Sequence, residues 1–474
     1  MVYLDGDNDL ENEAINNFLL MSEVGSTYDV NIIVQFDRNP SFNNDYNDWN
    51  STKRYYINKG MIPDNSNALM DLGELNMGDP QTLIDFSNWA IQNYPARKYF
   101  LILWDHGSGW DGVCYDGTSN DDYLDINELG VSFKEITNNG VNKLEVIGFD
   151  ACVMQMLEVS YELRNYGNFM LASEALQLGG WIYNSTFSSL TKNPRMSTIN
   201  LGIEFINDFI VENICGYLNT LSLINLEHID NLKNSVNNLA EKLVNEDYIE
   251  EIILTNEIVE EYQYLEYRFS IDLYDFASLL KNYIENTEIK NSAQIVMNEI
   301  ERVVEYEKHG SDYLNSYGIS IYLPIDEYNY DYSESSFAKD NFWNEFIIWY
   351  LNDGNFPPNK PNTPVGPTKG EIGKEYTYKT LTTDPEGDRI FYSWRWKELT
   401  YKSTDYYDSG DVCSISFRWD EEGTYEITVS AIDERGAQSL SSDPLSVTMP
   451  KSIVKNKLFQ RIYENFLFLP FLLI

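Results

Sequence analysis

Short apolar runs alternate with amphipathic stretches along the first third of the chain. Met1–Asp5 predicts a strand, Leu10 to Met21 a helix, and DVNIIVQFD at 29–37 a second strand. A helix is predicted from Asp79 to Asn93, entered through Gly78-Asp79-Pro80 with proline near the first turn. KYFLILW at 98–104 predicts a third strand and Asn127 to Thr137 a helix. KLEVIGFD at 143–150 predicts a fourth strand, and a helix follows from about Met154 to Arg164. Near-continuous apolar strands separated by helices predict an α/β fold, a parallel sheet covered on both faces. From about 199 to 310 the period becomes helical, with Leu226, Ile229, Leu232, Val236, Leu239 and Leu243 on one stripe. YGISIYLP at 317–324 predicts a late strand, and Phe337 to Leu351 a last helix.

Asn355 to Lys369 carries Pro357, Pro358, Pro361, Pro364 and Pro367, the composition of a linker. Beyond it, EYTYKTLTTD, RIFYSWRWK, CSISFRW and GTYEITVSAID are short alternating strands of an all-β sandwich. The expected division is residues 1–354 (core to about 198, helical extension and last strand to 354), linker 355–369, sandwich 370–450 and tail 451–474. The tail ends in apolar Phe466 to Ile474, too short to span a bilayer. It is expected either to pack on the protein or to touch a membrane surface. No signal peptide is visible and the chain opens directly on a strand, so a truncated N-terminus is expected.

With 474 residues, 43% hydrophobic and 23% charged, the composition is globular. Basic residues number 33 against 75 acidic, a net charge of −42. Such a field repels phosphate backbones, which excludes nucleic acid as a partner and favours cationic substrates or divalent cations. A merely solvated acidic surface is the plainer alternative. Cys114, Cys152, Cys215 and Cys413 form no C-x-x-C pair, and three histidines are too scattered for a structural zinc site.

Two strand ends carry candidate chemistry. KYFLILW runs into Asp105-His106-Gly107-Ser108-Gly109-Trp110, and KLEVIGF runs into Asp150-Ala151-Cys152. Functional residues cluster beyond the carboxyl ends of parallel strands, so His106 and Cys152 can face each other there. A thiolate beside an imidazole performs nucleophilic acyl transfer, and the helix expected from Met154 would lower the thiol pKa. Gly107 permits close approach of a carbonyl, so the Gly107 and Cys152 amides are candidates for an oxyanion hole. Taken alone, Cys152 reads more readily as a small buried hydrophobe; the His-Gly and Asp-Ala-Cys strings at two matching strand ends reverse that balance. Asp150 reads as a helix cap. Asp5-Gly6-Asp7-Asn8-Asp9 carries a rival reading, the acids of a metal-dependent phosphohydrolase or a calcium loop, against a simple helix cap at Asn8 or Asp9.

An apolar strand before His-Gly and a second before Cys resembles the signature of clan CD cysteine peptidases, which include caspases, legumains, gingipains and clostripain. The strings MVYLDGDNDLE, LILWDHGSGW, GFDACVMQMLEV, ASEALQLGGWIY and YGISIYLP are similar to the clostripain family over roughly residues 1–350. The resemblance implies a caspase-like parallel-sheet sandwich with His106 and Cys152 as dyad. It implies Asp150 at the base of the S1 pocket, hence cleavage after Arg or Lys, and substrate-binding roles for Ser173 and for Trp181, which reads equally as core packing. No extra acid stands in Gln177–Trp181, unlike some relatives. Relatives cut themselves after a basic residue between His and Cys, where this chain offers only Lys134 and Lys143. TTDPEGDRIFYSWRW resembles Ig-like domains of the polycystic-kidney-disease or cadherin-like type, implying an extracellular spacer. There Asp384, Glu386 and Asp388 are weak calcium candidates against a plain acidic turn. The expectation is an extracellular or cell-surface cysteine endopeptidase acting on peptides or proteins with basic residues. Its dyad needs no cofactor, and calcium is at most structural. The alternatives are a non-catalytic surface-binding protein with a relic peptidase fold and, more distantly, the phosphohydrolase.

Overall fold

The computed structural model describes residues 1–450 apart from 48, 213–214, 247, 265–266 and 398–399. The chain divides into two compact units, Met1–Leu351 and a second beginning at Asn352. In the first unit the strands are β1 (Val2–Gly6), β2 (Ile33–Arg38), β3 (Lys53–Tyr56), β4 (Met70–Asp71), β5 (Phe100–Trp104), β6 (Gly112–Asp116) and β7 (Asp122–Asp125). They continue as β8 (Leu144–Asp150), β9 (Gly167–Ala172), β10 (Thr220–Asn225), β11 (Glu261–Tyr264), β12 (Tyr267–Asp272), β13 (Val304–His309) and β14 (Ser320–Tyr322).

Nine strands form the main sheet, in the order β13-β10-β9-β8-β5-β1-β2-β3-β4. Its centre, β9-β8-β5-β1-β2, is parallel, and antiparallel strands close both edges. Every residue of β1 and β2 is buried, as strands covered on both faces require. Leu4 and Val34 share one core cluster with Phe18 of helix Glu11–Val24, while Tyr3 turns the other way and meets Phe86 of helix Pro80–Asn93. Fully buried Arg38 and Glu11 pair at 2.5 Å and fasten that first helix to β2. Breaking such a pair by removing one partner typically costs about 3–5 kcal/mol, because the other charge is left buried alone.

The helix after Cys152 is shorter than its sequence predicts, Leu157–Leu163, because a turn with Val153 at φ 52° comes first. The stretch 199–310 holds not only helices but also β10 to β13. YGISIYLP supplies β14, which pairs with β12 rather than joining the main sheet. The last predicted helix breaks at Asn341 into Ser336–Asp340 and Trp343–Leu351, and the Asn341 side chain accepts the Trp343 N–H.

The second unit is an antiparallel sandwich of β15 (Glu375–Thr380), β16 (Ile390–Lys397), β17 (Thr400–Ser403), β18 (Cys413–Arg418), β19 (Gly423–Asp433) and β20 (Leu445–Met449). One sheet pairs β15 with β18 and the other runs β17-β16-β19-β20, around Tyr378, Tyr392, Trp394, Phe417 and Val429. The proline-rich segment expected as a linker is built into this sandwich. Thr380 and Thr382 donate their hydroxyls to the Asn362 and Asn359 carbonyls, Tyr378 donates to Pro367, and Val365 bridges to Lys379. Prolines suit this edge position, since they have no N–H to contribute to a ladder. The apolar tail 451–474 lies outside the described residues. Among the described residues no helix is long and apolar enough to cross a membrane.

Candidate active site

β5 and β8 are neighbours, with Trp104 opposite Asp150, and the Asp105 N–H donates to the Asp150 carbonyl at 3.3 Å. His106 and Cys152 therefore leave the sheet from adjacent strand ends. A Cβ on Gly107 would sit 2.5 Å from the Cys152 carbonyl oxygen and 3.0 Å from the Ala151 Cβ, so only glycine lets these two chain segments touch. Neither the Gly107 nor the Cys152 N–H has an acceptor among the described residues.

The Cys152 thiol is partly buried and accepts the Gln177 N–H at 3.3 Å. Burial pushes its pKa up; the Gln177 N–H opposes this, and the Asp150 and Asp105 charges add to it. The lowering expected from a helix N-terminus is not found, because the helix begins five residues after the thiol. Sequence reasoning placed Gln177 in a substrate-binding loop and missed its contact with the thiol. The same side chain donates to the Ala151 carbonyl at 2.6 Å and accepts from Trp181 Nε1 at 2.8 Å, while Leu178 exchanges two hydrogen bonds with the Asn219 amide.

His106 Nε2 lies 2.7 Å from Asp9 Oδ1, with the side chains 38% and 69% exposed. Asp9 comes from the loop after β1, and its neighbour Asn8 donates to Asp105 at 2.6 Å and to the Tyr115 carbonyl at 2.9 Å. Asp105 is buried and its pKa is pushed up to about 7 by desolvation, against the pull of His106 and of several hydrogen bonds. The motif thus binds the end of β1 to the end of β5. Trp110 anchors the same segment, packing edge-on against Tyr322 and Tyr332.

Asp150 is 5% exposed, accepting from the Tyr183 hydroxyl at 2.9 Å and the Trp181 N–H at 3.3 Å. Burial pushes it up to about 7, opposed by the bonds from Tyr183, Trp181 and Trp104. No described Lys, Arg or His pairs with it. It does not cap the following helix, whose cap position is Met156. Ser173, expected to face substrate, turns its side chain inward, and Trp181 takes the core-packing position of its alternative reading. Ser173 Oγ lies 3.0 Å from both the Ala175 carbonyl and Thr220 Oγ1, and Trp181 packs fully buried against Phe205 and Tyr183. Asp384 and Asp388 belong to the sandwich. There Asp384 Oδ2, Asp388 Oδ2 and Asn355 Oδ1 are buried without a hydrogen-bond partner, and Arg435 Nε is 3.6 Å from Asp388. A cavity of about 690 Å³ lies at the opposite end of the sheet, lined by Met1, Phe100, Glu145 and Phe187, and has no part in this site.

A helix-covered parallel sheet with a thiol and an imidazole at the ends of adjacent strands has the layout of a caspase-like cysteine peptidase. The pattern of the Clostripain family matches residues 2–350. Clostripain of Hathewaya histolytica is 27% identical over 409 residues, covering 70% of this chain and 75% of that protein. An inactive zymogen C11 protease from Parabacteroides distasonis shares the fold, with TM-score 0.55 and 18% identity over 72% of this chain and 96% of its own. A secreted C11 cysteine protease from Bacteroides thetaiotaomicron, solved with an irreversible peptide inhibitor, gives TM-score 0.54 and 17% identity over 73% and 98%. The chain belongs to the clostripain family. It is a cysteine endopeptidase acting on protein or peptide substrates, rather than a phosphohydrolase built on Asp5 and Asp7.

Proposed function

We propose that the enzyme cleaves after Arg or Lys through a Cys152–His106 dyad. The Cys152 proton passes to His106 as sulfur attacks the scissile carbonyl. The oxyanion accepts the Gly107 and Cys152 N–H groups, each of which has no other acceptor among the described residues. Collapse breaks the C–N bond, the imidazolium protonates the leaving amine, and water hydrolyses the thioester. Asp9 is a positioning residue for the imidazole. The observation that carries the specificity is Asp150, a buried carboxylate two residues before the thiol with no cationic partner among the described residues. A guanidinium supplies that charge, and its planar fork matches a carboxylate better than an ammonium does. The −42 net charge raises the local concentration of basic peptides, an effect that salt weakens. A family relative described as secreted supports an extracellular setting.

A peptide-library profile of wild type, Cys152→Ala and Asp150→Asn tests this. Cys152→Ala should have no turnover. Asp150→Asn should lose roughly 10²-fold in kcat/KM on Arg substrates and little on small neutral ones. Wild type cleaving after Leu or Asp as readily as after Arg would remove the S1 assignment and leave the dyad standing. We propose further that Asp384 and Asp388 hold a structural Ca²⁺ in the sandwich; Asp384 Oδ2 and Asn355 Oδ1 are buried oxygens without a hydrogen-bond partner, hard ligands of the kind it takes, and the ion would compete with Arg435 for Asp388.

A further inference from the structure

Between the thiol and Asp150 stands one further polar side chain, that of half-buried Gln177. Its backbone N–H donates to Cys152 Sγ at 3.3 Å, so the residue begins beside the place a scissile carbonyl must take. Its carboxamide reaches toward Asp150. Nε2 donates to the Ala151 carbonyl at 2.6 Å and lies 3.5 Å from the Phe149 carbonyl, the residues on either side of Asp150. Oε1 accepts Trp181 Nε1 at 2.8 Å, and the backbone N–H of the same tryptophan donates to Asp150 Oδ2 at 3.3 Å. The side chain before the scissile bond (P1) starts at the thiol. To end at Asp150 it must run alongside Gln177.

The partners fix which way the amide faces. A carbonyl only accepts and an indole N–H only donates, so Nε2 is turned to Ala151 and Oε1 to Trp181. The one donor of the amide is therefore spent on Ala151, away from an arriving cation. Its oxygen carries a second lone pair beside the one that Trp181 takes. Asp150 is more fully committed. Tyr183, Trp181 and Trp104 all donate to it, against a carboxylate's capacity of about four bonds. The acceptors left for a substrate are thus divided between Asp150 and Gln177. They are held by the main-chain and indole nitrogens of Trp181, and so stand apart by the length of that residue.

We infer that Gln177 Oε1 is the second acceptor of the S1 pocket and makes the enzyme favour Arg over Lys at P1. The inference rests on Asp150 as the base of that pocket. A guanidinium spreads its N–H donors over a planar fork and meets two separated acceptors at once. An ammonium carries all its donors on one nitrogen, so it satisfies Asp150 and leaves Gln177 to water. Arg gains a charge-assisted hydrogen bond that Lys does not make.

The test is kcat/KM on matched fluorogenic peptides that differ only in Arg or Lys at P1, for wild type, Gln177→Met, Gln177→Glu and Asp150→Asn. Wild type should favour Arg by ~10-fold or more. Gln177→Met keeps the length of the side chain and removes the oxygen. It should lose roughly 10-fold on Arg and less than about 2-fold on Lys, which erases the preference. Gln177→Glu retains an acceptor and should retain the preference for Arg. A purely structural role, through the N–H on the thiol or the fit of the loop, would lower both substrates alike. Equal losses on Arg and Lys in Gln177→Met, an unchanged Arg-to-Lys ratio, or a wild type that takes Lys as readily as Arg would overturn the assignment. Asp150→Asn separates the two readings. Arg cleavage that survives it removes the pocket itself, whereas its loss beside an unaltered ratio in Gln177→Met removes Gln177 alone.

Discussion

Asp9 shows what one residue contributes when it has no buried contacts to offer. Its bond to His106 joins two exposed side chains, and exposed ion pairs are worth about 0–1 kcal/mol, too little to matter for stability. Under the proposed dyad, its value lies in orientation. Asp9→Ala should lower kcat roughly 10-fold with KM unchanged, and Asp9→Asn, which keeps an acceptor, should recover most of it. Full kcat in Asp9→Ala would deny Asp9 that role. The sequence displayed His106 and Cys152 because each follows an apolar run and sits in a distinctive string. Asp9 and Gln177 were invisible as partners. Asp9 is 97 residues from His106 and Gln177 is 25 from Cys152, and no local pattern encodes such a meeting.

At the scale of elements, strand registers carry the site. β5 and β8 were legible as strands because their residues are buried on both faces, but their adjacency follows from packing. The helix after Cys152 was placed about three residues too early, since apolar Val153, Met154 and Met156 continue the helical pattern while the chain makes a turn. Regular structure also bears on maturation. Lys134 lies inside helix Ile126–Ile136, and Lys143 directly precedes β8 with Nζ donating to the Arg164 carbonyl. A protease site binds extended backbone, so cleavage at either would first require unfolding. Incubated wild type should remain a single band by denaturing gel and intact by mass spectrometry. A nick after residue 134 or 143 that is missing in Cys152→Ala would contradict this.

For the whole molecule, acidity governs stability. Glu158 is fully buried, bonded to the Tyr322 N–H and the Tyr332 hydroxyl, and burial raises its pKa to about 7, as it does for Asp150. A carboxyl raised in the fold binds a proton there that the unfolded chain releases near pH 4. Its stabilising contribution is therefore complete below about pH 4 and lost as pH climbs through 7. Self-repulsion at net charge −42 acts in the same direction. Tm should be higher at pH 5.5 than at pH 8 in chelator, and a higher Tm at pH 8 would refute the account.

The sequence by itself determined the α/β class, the sandwich and the two strand-end motifs, because hydrophobic period and local strings are properties of neighbouring residues. Strands β10 to β13 escaped it, being set among strong helical stripes. The proline-rich segment misled it, since composition describes stiffness and not what the chain lies against. Only the tertiary structure decided which groups surround Asp150, which way Trp181 and Ser173 turn, and which backbone amide reaches the thiol. Those outcomes depend on residues far apart in the chain, brought together when the sheet and its covering helices bury their apolar faces.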